Sequence, residues 1–256
     1  MHVLALDTTT RDGSAALVAN DRVIEERRGD PARSQAERLP GELVAVAAAH
    51  GLAVNAVDLF AVAAGPGSFT GLRIGIATVQ GLALVTRRPV AAISALEALA
   101  HAVSVDLPVG TVVAAWMDGR RHTVFAALYR VADAPVFSSA RLVELDGPSV
   151  DAPAAILDRW ADAFVGREVV FTGDGAVLHA ALLDAPGRGW RTVAPPLIAG
   201  AIGRIAAARA RAGNVLGAEG IRPLYVRRPD VELARETRGH VREPAVPATR
   251  DGRLDD

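Results

Sequence analysis

The residues best able to do chemistry fall into four groups. Asp7 closes an apolar run and is followed by Thr8, Thr9, Thr10 and, further on, Ser14. An acid at a strand end followed by hydroxyls and backbone amides can hold a nucleotide phosphate through Mg²⁺ and hydrogen bonds. The same residues also make an ordinary Asx turn capped by threonines. Asp118 ends a second apolar run in the same way. Thr172-Gly173-Asp174-Gly175-Ala176 reads as strand end, glycine turn and helix start. Adenosine could be contacted there, and so could nothing: it is equally a plain connection with an acid near a helix N-terminus. The fourth group is Gly65–Gly75, GPGSFTGLRIG. A glycine-rich turn between strand and helix is a general anion-binding geometry, because helix N-terminal amides point at the ligand. This run, however, is neither GxxxxGK[ST] nor a clean GxGxxG, and no lysine stands near it to reach β- and γ-phosphates.

The helix that follows is more informative. Gly71 and Gly75 share one face, extended by Thr78 or Val79. Glycine inside a helix costs about 1 kcal/mol relative to alanine, so it calls for a packing reason. Close approach of another element of the same chain, and close approach of another chain, both satisfy that need. Other chemistries lack their residues. There is no cysteine, and the six histidines include no pair spaced to share a helix face, which argues against a metal pair. Ser68 lies in GPGSF rather than GxSxG, so a nucleophile elbow is absent.

The elements that position these groups alternate as in an α/β protein. Strands are expected at His2–Asp7, Ser14–Ala19 and Arg22–Arg28, joined by short turns that imply antiparallel neighbours. Gln35–His50 has helical spacing, with Leu39, Leu43 and Val46 on one side. Val57–Ala64 reads as a buried strand, followed by a helix through about Thr86, a strand at Pro89–Ile93 and a helix at Ala95–Val103. A second set begins after Pro108: strand Thr111–Met117 ending on Asp118, a Gly119-Arg120-Arg121 turn, and strand His122–Arg130. This repeats the opening unit of strand, terminal Asp, polar turn and strand. A helix near Pro153–Ala163, a strand at Val169–Thr172, a helix after Gly175, a strand near Trp190–Val193 and a helix at Ile198–Ala212 follow. The spacing divides the chain into 1–106, 107–228 and a tail, 229–256. Of the last 30 residues 14 are charged, a composition that cannot bury much surface and predicts disorder.

Composition agrees. In 256 residues, half are hydrophobic and only 4% aromatic, so the core must be built from Ala, Val, Leu and Ile. A net charge of -1 lacks the basic excess of a stand-alone nucleic-acid binder. The N-terminus lacks the features of a signal peptide, and no run of about 18 apolar residues is evident, so a cytoplasmic protein without membrane contact is expected.

ALDTT near the N-terminus, SQAERLPGEL at 34–43, AVAAGPGSFTGLRIGIATVQGLAL at 61–84 and the DGRR hairpin at 118–121 together resemble the TsaB (YeaZ) family. The resemblance covers residues 1–228, and Gly65–Gly75 is its most specific part. It implies the two-lobed, duplicated acetate kinase/sugar kinase/Hsp70/actin-like fold. It also implies a non-catalytic subunit that pairs with TsaD, the related catalytic subunit. With TsaE, an ATPase, the complex places threonylcarbamoyl on adenosine 37 of tRNAs reading ANN codons, so tRNA is met through the complex. The implied docking residues are Phe69, Gly71, Leu72, Ile74, Gly75, Thr78, Val79 and Leu82. TsaD holds a metal through an HxxxH-type pair; here the comparable stretch is Arg33-Ser34-Gln35-Ala36-Glu37, without either histidine. Arg33 also replaces a His common in TsaB members. No catalytic residue, metal or cofactor of its own is expected. ATP with Mg²⁺, held weakly by Asp7, Thr8, Thr9, Asp118, Gly173 and Gly175 or only at the complex interface, remains open, as does a homodimer. The competing reading is a small-molecule kinase or ATPase of the same superfamily using Asp7 and Asp118. A peptidase finds no metal pair, triad or thiol.

Overall fold

A computed structural model describes residues 1–184 and 188–226. The charged tail at 229–256 lies outside the described residues.

Two five-stranded sheets carry the chain. The first uses β1 (His2–Asp7), β2 (Ser14–Ala19), β3 (Arg22–Arg28), β4 (Leu59–Gly65) and β5 (Val90–Ser94), in the order β3-β2-β1-β4-β5. The second uses β6 (Val112–Asp118), β7 (Val124–Val131), β8 (Leu142–Asp151), β9 (Val169–Thr172) and β10 (Arg191–Val193), in the order β10-β9-β6-β7-β8. Reversed, the second order is the first. In each, three strands meander antiparallel and two more join parallel to the opening strand. The two halves thus repeat one topology, a duplicated α/β arrangement.

β1 shows why these strands are buried on both faces. Val3 and Ala5 enter the core between the sheets, while Leu4 and Leu6 point to the opposite side. That period of two with no polar residue is the mark of a strand covered by helices on both faces. Helices α1 (Gln35–Ala48) and α2 (Phe69–Thr86) cover the outer face of the first sheet. Leu39, Leu43 and Val46 of α1 are buried there, as the spacing predicts. Helix α4 (Pro153–Phe164) covers the outer face of the second sheet through Ile156, Leu157, Trp160 and Phe164. Between the sheets lie α3 (Ala95–Val103) and α7 (Ala199–Arg211); α5 (Asp174–Leu178) and α6 (Ala180–Leu183) follow β9.

Three sequence expectations are corrected. Helix α7, grouped by position with 107–228, packs against β1, β2 and β4 of the first sheet, where Gly200 and Gly203 come against Val23 and Val18. Position in sequence did not predict this because the helix is apolar on the side that any sheet would accept. Strand β8 was not expected. It is an edge strand with mostly half-exposed residues and carries Gly147-Pro148, which only an edge tolerates. Finally, α2 does have the length and apolarity of a membrane span, with mean hydropathy 1.3 over 18 residues. It packs on β4 and α1 within the outer layer of the first sheet.

Candidate functional site

The turn after β1 is the hub of the molecule. Asp7 is almost fully buried, and its Oδ1 accepts hydrogen bonds from the Thr9 backbone N–H at 2.9 Å and the Thr9 hydroxyl at 2.7 Å. Burial pushes the Asp7 carboxyl up to about 6 against those two bonds, and the nearby Glu26 and Asp174 charges add to the rise. Helix α1 holds the turn from one side. Gln35 Nε2 donates to Thr10 O at 2.9 Å, and the buried Arg38 donates to Arg11 O at 3.2 Å and Asp12 O at 2.5 Å.

The glycine segment holds it from the other side. Ser68 N–H donates to Thr9 O at 2.8 Å, and the Ser68 hydroxyl caps α2 by accepting from Gly71 N–H at 3.2 Å. A Cβ on Gly67 would lie 2.5 Å from Thr9 Cβ, one on Gly71 2.2 Å from Thr8 O, and one on Gly75 2.2 Å from Thr8 Oγ1. All three glycines are therefore spaces for the Thr8–Thr9 turn. The implied docking face on the Gly71/Gly75 side is corrected accordingly: Gly71, Leu72, Gly75 and Val79 are buried within the chain. Ile74 and Leu82 lean on the same core, and Thr78 gives its hydroxyl to Ile74 O at 2.9 Å. Phe69 is engaged as well, with Tyr225 at 5.5 Å between ring centroids and the Arg73 guanidinium 3.9 Å from its ring.

The open faces lie elsewhere, on the sides of α1 and α2 turned away from the sheet. Ala77, Gly81, Leu84 and Val85 are exposed on α2; Pro40, Gly41, Val44, Ala45 and Ala48 are exposed on α1. Val85 is 85% exposed and Leu84 57%. Gly41 and Gly81 have nothing within 4 Å of where a Cβ would stand. Small residues without an internal packing reason are the sequence signal that could have located this face, but only a structure separates them from Gly71 and Gly75.

A cavity of about 250 Å³ opens beside the hub, lined by Asp7, Thr9, Thr10, Asp12, Gly13, Arg28, Leu99, Met117, Asp174 and residues 195–198. Of the expected nucleotide residues, Asp7 and Thr9 face it. Thr8 points away, into α2, and its hydroxyl finds no partner. Gly173 and Gly175 are packing glycines, since their Cβ atoms would fall 1.9 Å from Trp116 O and 2.7 Å from Met117 C on β6. Asp118 contributes its backbone N–H to Asp174 Oδ1 at 3.0 Å, while its own carboxylate accepts from Arg120 N–H at 2.8 Å and pairs with the Arg120 guanidinium at 3.3 Å. The residues present do not fit a nucleotide triphosphate with its Mg²⁺. All 28 basic residues of the chain are arginine. Among the described residues the arginine that lines the cavity, Arg28, is already paired with Asp12 at 3.1 Å. Among the described residues no group of three or more His, Asp or Glu side chains is placed to hold a metal ion.

Comparison with known proteins agrees with the sequence resemblance. Residues 30–214 match the family model TsaD, tRNA N6-adenosine threonylcarbamoyltransferase. The chain is 34% identical over 189 residues to an uncharacterized protein of Mycobacterium leprae, covering 72% of this chain and 45% of that one. It is 37% identical to the tRNA threonylcarbamoyladenosine biosynthesis protein TsaB of Haemophilus influenzae, over 48% of this chain and 51% of that one. The chain thus spans about half the length of these curated relatives. The solved structure of YeaZ from Pseudomonas aeruginosa superposes with a TM-score of 0.72 at 29% identity, covering 88% of this chain and 99% of that one. The repeated sheets, the glycine segment wrapped on the Thr8–Thr9 turn and these likenesses together place the chain in the TsaB (YeaZ) group of the TsaD family, whose named members serve tRNA threonylcarbamoyladenosine biosynthesis.

Proposed function

We propose that the protein is a partner subunit without chemistry of its own. It binds a TsaD-type catalytic subunit and supports formation of threonylcarbamoyl-adenosine at position 37 of tRNAs reading ANN codons. A TsaE-type ATPase completes the assembly in the cytoplasm, and tRNA is met through the complex. The observation that carries the docking reading is the outward face of α1 and α2. Exposed Leu84 and Val85 flank Gly81, and Gly41 and Ala45 lie on the companion helix. Each exposed glycine forgoes about 1 kcal/mol of helix stability relative to alanine. With no internal neighbour to justify it, a facing helix is the remaining reason for such close-approach positions. The same face offers itself to a second copy when the partner is absent.

Two measurements test this. Depletion of the protein lowers threonylcarbamoyl-adenosine in bulk tRNA measured by mass spectrometry; unchanged levels would remove the function. Gly81→Glu abolishes copurification with the TsaD-type subunit while leaving the melting temperature of the isolated chain within a few degrees. Retained copurification would move the docking face elsewhere.

A further inference from the structure

The misfit between the cavity and a nucleotide has a specific cause. An anion bound at strand and helix ends is held by backbone N–H groups that no protein group occupies. Beside this cavity such donors are taken by the chain's own acceptors in two places, and a third lies at the start of the helix that follows its wall. The Thr9 N–H goes to Asp7. The N–H groups of Asp118 and Gly175 both go to Asp174 Oδ1, at 3.0 and 2.9 Å. At the start of α7, Gly200 N–H goes to Glu26 Oε1 at 2.9 Å, and Ala199 N–H goes to the Ser14 hydroxyl at 3.1 Å, which itself donates to Glu26 at 3.4 Å.

Three carboxylates, Asp7, Asp174 and Glu26, thus come from three distant stretches of sequence. Asp7 and Asp174 line the cavity, and Glu26, outside its lining, acts on Asp7 electrostatically. The lining also includes the apolar residues Leu99, Met117, Leu197 and Ile198.

We infer that these carboxylates are built-in occupants of the anion positions of the cleft, so that the chain excludes nucleotide phosphates by its own charges. An arriving phosphate would find its donors used and two negative charges in its way. At an effective dielectric constant of about 20, one pair of like charges about 4 Å apart repels by about as much as millimolar binding supplies, and two such pairs exceed it. Asp174 is the member whose removal frees two donors at once without touching the hydrogen bonds of the Thr9 turn. The inference concerns this cleft alone and does not depend on the docking face.

The test is isothermal titration calorimetry of the full chain with MgATP and, separately, inorganic pyrophosphate. The wild type gives no saturable heat with either ligand at millimolar concentration. Asp174→Ala, which vacates the Asp118 and Gly175 amides, binds pyrophosphate at least tenfold more tightly than the wild type. Asp174→Asn, which removes the charge but keeps an acceptor oxygen on those amides, gains less than Asp174→Ala. Circular dichroism melts check that all three proteins are folded; if Asp174→Ala unfolds, Asp174→Asn alone is compared with the wild type, and an unchanged pyrophosphate affinity overturns the inference. Saturable MgATP binding by the wild type would overturn the inference, and so would pyrophosphate affinities that do not differ between wild type and the vacated variant.

Discussion

Gly75 is where internal packing and external docking make opposite predictions. Substitution by alanine in a free helix would gain about 1 kcal/mol. Here the added methyl would stand 2.2 Å from Thr8 Oγ1, 2.9 Å from Thr8 Cγ2 and 3.1 Å from Thr8 Cβ. Thr8 has no room to retreat, because it is fully buried and Gly71 closes on its carbonyl oxygen from the next turn of the helix. Overpacking of a filled core typically costs 1–3 kcal/mol. We therefore expect a net loss of about 2 kcal/mol for Gly75→Ala, a fall of roughly 4–8 °C in melting temperature for a chain of this size. Thr8→Ala removes the two closest atoms together with a buried hydroxyl that has no hydrogen-bond partner, and leaves only the contact at 3.1 Å. The double variant should recover most of the loss, giving a coupling energy of about 1–2 kcal/mol, within the range for residues in contact. Denaturant melts of the four proteins of this cycle measure it. If Gly75→Ala keeps wild-type stability but loses the TsaD-type partner, Gly75 is a docking residue and the close packing described above is wrong. If the double variant is no better than the single one, Thr8 is not what the glycine accommodates.

Two pH predictions oppose each other. The Asp7 carboxyl is raised from 3.8 to about 6, so the folded state holds its proton over that interval while the unfolded chain releases it. The favourable contribution is complete below about 3.8 and is lost as pH rises through about 6, amounting to roughly 3 kcal/mol. Asp7→Asn should thus stabilise the chain at pH 7.5 and gain nothing at pH 4. An equal shift at both values, measured by urea melts, would refute the buried charge as the cause. His101, buried and stacked on Phe137 at 5.7 Å, is lowered from 6.5 to about 4 by burial and then by Arg209 and Arg141. Its neutral form suits the fold, so stability falls by about 3 kcal/mol as pH drops from 6.5 to 4. His101→Phe should flatten that part of the acid limb relative to wild type, and an unchanged limb would show that the imidazole is not what titrates. On the exposed face, Gly81→Ala should raise stability by about 1 kcal/mol, since no atom lies within 4 Å of the new methyl. A destabilised Gly81→Ala protein would mean that α2 is not open there.

Much of the molecule was legible in the sequence, for local reasons. Strands β1, β2, β3 and β9 and helix α3 fall where hydrophobic period and turn residues put them. The repeat of VLALD and VAAWMD anticipated two sheets of one topology, because an apolar run ending on an acid before a polar turn is a local pattern. The glycine segment identified the family for the same kind of reason. Its steric demand is strict at three positions, as the approach of Gly67, Gly71 and Gly75 to the Thr8–Thr9 turn shows.

What the sequence could not decide is which neighbour each demand answers. Gly71, Gly75, Gly41 and Gly81 look alike in a helical pattern; the first two accommodate Thr8, 63 and 67 residues away in sequence, and the last two meet nothing within 4 Å among the described residues. Gly173 and Gly175 look like a ligand loop and are spaces for the backbone of β6. Glu26 lies on an edge strand and caps a helix that begins 173 residues later. A residue type states what a position must satisfy, whether a missing Cβ or an oxygen acceptor. The partner that satisfies it is chosen by which strands lie side by side and which helix returns across them, and that choice exists only once the two sheets and the helices between them have packed.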